Sequence, residues 1–262
     1  MISLERRDGR PLRIGHRGAA ALAPENTLRS FRTAVEAGVD LVEFDVLDLR
    51  SGELVIAHSN DLREVSHGVA VGTVRDRSLQ SLREICPGLP TLEEALGFFA
   101  DEARHVGLHL DLKTRGREAD VAAAIRRFDL VERSFVSSFF LRTARSVARI
   151  DPGIRVGITV PRGLLGISER GRGALFARVG LSILRRIAPV AAPLALTAAR
   201  ATALVLHHSV VGETVVRRAH ARGAAVVAWT VDDPRHLARV DEAGVDAVVS
   251  NDPRIFASTL EK

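Results

Sequence analysis

Eight short runs of β-branched and apolar residues recur along this chain, and helical patterns separate most of them. The runs are Leu12–Gly15, Leu41–Val46, Val106–Leu112, Ser134–Ser138, Arg155–Val160, Thr202–His207, Ala225–Val231 and Asp246–Ser250. Between them, Asn26–Ala37, Leu92–Ala103, Glu118–Phe128, Leu141–Ile150, Glu213–Arg222 and Pro234–Ala243 read as helices. Val121, Ile125 and Phe128, for example, make one apolar stripe at helical spacing. Such alternation implies parallel strands joined by helical crossovers. Eight units in 262 residues predict an α/β fold of the (β/α)8 TIM-barrel type. An open doubly wound sheet is the alternative, but Gly15-His16-Arg17-Gly18 lacks the glycine spacing of a dinucleotide-binding turn.

Two stretches interrupt the alternation. Residues 48–90 form a small insertion after strand two, with a strand of their own at Leu54–Ala57. Residues 161–200 lie between the fifth and sixth runs and hold seven arginines against one acid, Glu169. That segment carries +6 while the whole chain carries +5, so the basicity belongs to one place. Neither stretch is long enough for a separate unit, and 1–262 reads as a single domain. Phe176 is the only aromatic in the basic segment, which argues against nucleic acid as a partner. Leu175, Phe176, Val179, Ile183 and Ile187 give an imperfect helical stripe with Arg178, Arg185 and Arg186 among it. The segment starts at the catalytic end of a barrel strand. The expectation is therefore an active-site cover that also touches an anionic membrane surface, with a surface loop packed on the barrel as the plainer alternative.

The uncharged stretch Ile187–Ala199 contains Pro189 and Pro193 and is too short to span a bilayer. A single cysteine, Cys86, excludes internal disulfides and a thiolate zinc cluster. No apolar leader follows Met1, so the expected location is cytoplasmic, peripheral at the membrane if the basic segment binds there.

In a barrel of this kind chemistry sits at the C-terminal ends of the strands, and polar side chains gather at those positions. They include His16-Arg17, Glu43 and Asp45, Asp111 and Lys113, Ser137-Ser138, His207-His208, Trp229-Thr230 and Asn251-Asp252. Glu43 and Asp45 are two apart on a strand, so they point to the same side. Asp111 and Lys113 share a face of the next strand. Two readings follow: an internal salt-bridge network built on Arg17 or Lys113, or a site for a cation. All-oxygen ligation favours Mg²⁺ or Ca²⁺ over zinc. Of nine histidines, His67, His105, His220 and His236 fall in loops or helices, and His109 faces the same side as Asp111. His16 and His58 each end an apolar strand beside the carboxylates; two histidines and a divalent cation suit phosphoryl chemistry. Asn26, ahead of a helical run, reads as an N-cap, and Trp229 as a pocket wall.

These residues carry a pattern. Gly15-His16-Arg17-Gly18, Pro24-Glu25-Asn26-Thr27, Glu43-Phe44-Asp45 and His58 resemble the glycerophosphodiester phosphodiesterases. The resemblance continues through Leu89-Pro90-Thr91-Leu92-Glu93-Glu94, Asp111-Leu112-Lys113, Trp229-Thr230-Val231 and Gly244-Val245-Asp246, covering residues 12–255 apart from the basic segment. It implies a phosphatidylinositol-phospholipase-like TIM barrel whose insertion after strand two matches 48–90. It implies further that Glu43, Asp45 and Asp111 hold one divalent cation, that His16 and His58 act as acid and base, and that Arg17 and Lys113 touch the substrate phosphate. Trp229 and His207 would line the pocket. The implied reaction is hydrolysis of a glycerophosphodiester to glycerol 3-phosphate and an alcohol, by way of a cyclic phosphate. Two positions depart from the family pattern: Asp111 stands where glutamate is usual, and Ser59 follows His58 where aspartate is usual. The related spider-toxin phospholipases D have Asp at the first of these, so the competing readings are a lyase that stops at the cyclic phosphate of a lysophospholipid and a silent barrel that binds phospholipid headgroups.

Overall fold

The structure, a computed structural model, describes residues 1–160 and 174–259. Eight parallel strands close on themselves: β1 (Leu12–Gly15), β2 (Leu41–Asp48), β4 (Gly107–Leu112), β5 (Ser134–Ser138), β6 (Arg155–Val160), β7 (Ala203–His207), β8 (Ala225–Trp229) and β9 (Ala247–Ser250). Each pairs with the next, and β9 returns to β1, which also pairs with β2. That closure decides for the barrel over the open sheet. The outer ring is made by α1 (Leu28–Glu36), α4 (Leu92–Asp101), α5 (Glu118–Arg127), α6 (Leu141–Ile150), α7 (Ala174–Ala199), α8 (Glu213–His220) and α9 (Pro234–Glu242).

Strand alternation sorts the side chains. On β2, Val42, Phe44 and Val46 pack outward against the helices, while Leu41 joins the inner core. On β4 the outward row is Leu108, Leu110 and Leu112. The barrel interior is filled by Ile14, Leu41, Phe135, Val205, Val227 and Val249, with Leu4 from the N-terminal segment in the same cluster. Gly157, paired with Ser137, is where a Cβ would lie 2.6 Å from the Phe135 ring, so the phenylalanine has its volume only because β6 has none there. Apolar layers therefore occupy the lower barrel, and the polar members of the same inward rows are left at the mouth.

The insertion behaves as expected at its base. β3 (Leu54–Ile56) runs antiparallel to the extended end of β2, with Val46 opposite Ile56 and Asp48 opposite Leu54. Two short helices, α2 (Leu62–Val65) and α3 (Leu79–Ile85), complete it over a small core of Leu47, Leu62, Val74 and Leu82.

The basic segment differs from the loop alternative. Its second half is a 26-residue helix, α7, which runs through Pro189 and Pro193. A proline at 193 supplies no N–H to the carbonyl of Pro189; Arg218 of α8 donates to that oxygen instead, at 2.8 Å. Neighbouring chain thus makes good what the helix loses. Ala188, Ala192, Leu196 and Ala199 face the barrel. Residues 161–173, and with them any cover over the mouth, lie outside the described residues, as do the side chains of Leu175, Phe176, Arg178 and Val179. Among the described residues no helix is long and apolar enough to cross a membrane.

Candidate active site

The C-terminal strand ends frame a narrow cavity of about 60 Å³, lined among others by His16, Arg17, Glu43, Asp45, His109, Asp111, Lys113, Ser137 and Trp229. Register explains the crowding. Asp45 is directly opposite Asp111, Glu43 opposite His109, and Asp111 opposite Ser137. Three carboxylates are thereby held on two adjacent strands with almost no access to water.

Their charges are unequally compensated. Lys113 Nζ bridges Asp45 Oδ1, at 2.9 Å, and Asp111 Oδ2. Arg17 Nε lies 3.3 Å from Asp45 Oδ2, and Asn26 Nδ2 donates to the same oxygen at 2.9 Å. Burial would raise the Asp45 carboxyl, but Lys113 and Arg17 outweigh it and hold the group well below the usual range. Burial also opposes charge on Lys113, and Asp111 and Asp45 overcome it, so the ammonium is held more firmly than usual. Glu43 fares differently: burial, then the nearby charges of Asp45 and Asp111, push its carboxyl well above the ordinary value. Its Oε2 accepts the Arg17 backbone N–H at 2.8 Å. The network has too little positive charge for three ionised carboxylates.

His16 is largely enclosed, with 14% of its side chain exposed. Burial, then the Arg17 charge, lowers it to about 4. Its Nδ1 is 2.6 Å from Asn251 Oδ1, an acceptor, so Nδ1 carries the proton and Nε2, 3.8 Å from Glu43 Oε2, keeps its lone pair. The Asn251 amide is itself fixed, because its Nδ2 and its backbone N–H both donate to Asp232, at 2.6 and 2.8 Å. His109 is likewise lowered to about 4 by burial, despite Asp111, and pairs with Ser137 Oγ at 2.8 Å; that hydroxyl donates to Asp111 Oδ1 at 2.7 Å.

His58 is not in this cavity. It lines an adjoining cleft of about 310 Å³ between residues 24–29 and the insertion. Glu25 makes the link: Oε1 lies 2.8 Å from His58 Nδ1, and Oε2 accepts from Arg17 Nη1 at 2.8 Å. Glu64 lies 3.3 Å from the other ring nitrogen. Burial tends to raise Glu25, but His58 and Arg17 bring it down to about 2. Arg17 therefore touches both sides of the arrangement.

Other placements depart from the sequence reading. Asn26 is not the helix cap. Thr27 is, its hydroxyl accepting from Ser30 N at 3.1 Å, while Asn26 takes a left-handed backbone (φ 57°) and turns its amide onto Asp45. His207 does not line the cavity; its ring meets Trp229 edge-on at 5.5 Å and its Nδ1 pairs with Ser209 Oγ at 2.7 Å. Trp229 does line it, and its buried indole N–H has no partner among the described residues. Asp232 carries no reactive signature and sits far from Asn251 in sequence, so only the fold reveals it, as only the fold reveals that Asn26 serves Asp45.

The family model of the glycerophosphoryl diester phosphodiesterases matches residues 16–255. The chain belongs to that family. A glycerophosphodiester phosphodiesterase of Caldanaerobacter subterraneus is 26% identical over 95% of this chain and 97% of its own length. The crystal structure of a glycerophosphodiester phosphodiesterase from Parabacteroides distasonis superposes with a TM-score of 0.73 at 23% identity, covering 96% of this chain and 97% of that one. A phosphodiesterase from Oleispira antarctica, solved with the product sn-glycerol-3-phosphate, gives a TM-score of 0.70 at 24% identity over 96% of this chain and 97% of that one. Family members thus share both the length and the barrel of this protein.

Proposed function

We propose that this protein hydrolyses glycerophosphodiesters to glycerol 3-phosphate and an alcohol, with one divalent cation, Mg²⁺ or Ca²⁺, as cofactor. The observation that carries the reading is the meeting, in one cavity, of three buried carboxylates, two cationic side chains and a neutral histidine with a free ring nitrogen. The named activity of the Caldanaerobacter relative and the product bound in the Oleispira enzyme support the same substrate class.

Glu43, Asp45 and Asp111 would hold the cation. Their chemistry suits it, since the donors are all oxygen and the raised Glu43 carboxyl marks a place short of positive charge, although Lys113 bridges two of them and among the described residues no three such side chains are gathered as a ready-made metal site. Bound there, a divalent cation would withdraw charge from the phosphate oxygens and acidify an attacking hydroxyl. Arg17 and Lys113 would bind the remaining phosphate oxygens and stabilise the charge that develops on them. His16 takes the proton of the attacking hydroxyl on Nε2, since Nδ1 is committed to Asn251. The attacking group is the free glycerol hydroxyl of the substrate, which forms a cyclic phosphate that water then opens. His58, oriented by Glu25, delivers a proton to the leaving alcohol from the adjoining cleft. Trp229 walls the side of the cavity away from the carboxylates.

Glycerophosphocholine turnover, followed as released glycerol 3-phosphate, tests the assignment. His16→Ala and His58→Ala should each remove most of it; full activity in either variant would refute the role given to that histidine. Phosphorus NMR of the products reads the outcome directly, because a cyclic phosphate that persists would identify a lyase instead.

A further inference from the structure

Three neighbouring helices of the outer ring differ in charge from the rest of the protein. Helix α6 carries Arg142, Arg145 and Arg149, all exposed. Arg185 and Arg186 are exposed on α7, and Arg200 follows it directly. Arg217 and Arg218 are exposed on α8, with Arg222 in the turn behind. Within the three helices the only carboxylate is Glu213. None of these nine arginines pairs with a carboxylate among the described residues, whereas Arg32 on α1, Arg83 on α3 and Arg117 and Arg127 at the ends of α5 each do. Helix α4, across the ring from α8, carries Glu93, Glu94 and Asp101 and no cation. The molecule is therefore polarised, with one side strongly cationic.

An apolar ridge runs through the middle of that side. Ile183, Ile187, Val190 and Leu194 are spaced so that they share one face of α7, opposite the face of Ala188, Ala192 and Leu196 that packs on the barrel. Val190 is 59% and Leu194 64% exposed. Pro189 and Pro193, with Arg218 and Arg222, border a groove beside the ridge. Among the described residues, five of the eight large apolar side chains left exposed lie on α7 or, as Leu141, at the start of α6.

We propose that the α6–α7–α8 face docks on the surface of an anionic lipid bilayer. Aliphatic side chains enter the headgroup boundary, and the surrounding arginines meet the lipid phosphates. The charge pattern decides against the other occupants. A second copy meeting this face would set arginine against arginine. Single-stranded nucleic acid would call for exposed aromatics on which bases stack, and among the described residues of this face the large exposed apolar side chains are aliphatic. Because α6, α7 and α8 each run the height of the barrel, docking lays the wall of the barrel along the membrane. The inference does not depend on the proposed reaction.

Co-sedimentation of the full chain with vesicles of phosphatidylcholine alone, or with phosphatidylglycerol added, tests it at low and high salt. Binding is expected only to the anionic vesicles, and to weaken with salt. The combined Arg145→Gln, Arg186→Gln and Arg217→Gln variant, whose side chains make no hydrogen bond among the described residues, should bind roughly a hundredfold more weakly, at about fivefold per arginine. Ile187→Ser with Leu194→Ser should lose binding as well, with circular dichroism and the hydrolysis of soluble glycerophosphocholine unchanged. Equal binding to both kinds of vesicle, or none to either, overturns the proposal. So does a dimer in lipid-free sedimentation velocity that Leu194→Ser dissolves, or tight binding of single-stranded DNA by a protein that ignores the vesicles.

Discussion

Removing the ammonium of Lys113 exposes how the cavity is held together. In Lys113→Met the stem is replaced at similar length, but Asp45 and Asp111, directly opposite one another and buried, lose the cation that bridges them. Arg17 and Asn26 remain for Asp45, while Asp111 keeps the Ser137 hydroxyl. One carboxyl must then take up a proton. For a group of ordinary pKa near 4, protonation at pH 7 costs about 4 kcal/mol, in line with the ~3–5 kcal/mol lost when one member of a buried pair is deleted. The melting temperature should fall by about 8–16 °C. In the native protein Asp45 is held low, so its stabilisation is present above the unfolded value and is lost only as the pH falls through the depressed one. In the variant the affected carboxyl is raised, and stability is lost as the pH climbs. The gap between the two proteins should accordingly shrink by roughly 2.7 kcal/mol between pH 7 and pH 5. Mg²⁺ or Ca²⁺ should stabilise the variant more than the native protein, since Lys113 no longer competes for the same oxygens. Urea unfolding at pH 5 and 7, in EDTA and with added cation, measures all of this. A loss of the same size at both pH values would refute the electrostatic account.

Asn251→Ala removes the acceptor that fixes the His16 tautomer, and kcat should drop by about a hundredfold with KM little changed; steady-state kinetics on glycerophosphocholine decides it. Because His16 is lowered to about 4 and must be unprotonated to act, kcat/KM should hold down to about pH 5 and fall as the pH drops through 4, which a pH–rate profile reads. Gly18→Ala should cost at least ~2 kcal/mol in urea unfolding, since φ is +86° and the new Cβ would lie 2.6 Å from the Ser30 carbonyl carbon. Treatment with EDTA should abolish turnover, and adding back Mg²⁺ or Ca²⁺ should restore it while raising the melting temperature.

Much of this arrangement was legible before the fold was known, and the reason is periodicity. A strand that reads Val42-Glu43-Phe44-Asp45-Val46 can only send its carboxylates where its apolar residues do not go, and the barrel interior is where they went. Asp111 and Lys113 follow the same alternation, while His16 and Arg17 are legible from their place just past the end of β1. What could not be read was which distant partner each would find. Asn26 looks like a helix cap because the residue type suits one; its amide is taken by Asp45, 19 positions away, and Thr27 caps instead. His207 ends its strand as Trp229 does, yet the indole occupies the wall and leaves the imidazole behind it. The prolines of α7 argue against a helix locally, and the partner of the carbonyl that Pro193 orphans, Arg218, comes from α8.

The way β2 outruns the barrel bears on how the enzyme can breathe. Its last residues pair with β3, and the backbone N–H of Ala57, next to His58, donates to the Asp45 carbonyl at 3.0 Å. The histidine of the adjoining cleft and a carboxylate of the cavity are thus welded to one stiff ribbon, with no joint between them. The insertion cannot swing open as a flap without tearing sheet hydrogen bonds. On the proposed mechanism, room for bulkier leaving groups would come from shaving side chains of the cleft, such as Val65 or Leu89, and loop grafts that cut the chain between residues 48 and 54 would separate His58 from the carboxylates it is proposed to work with.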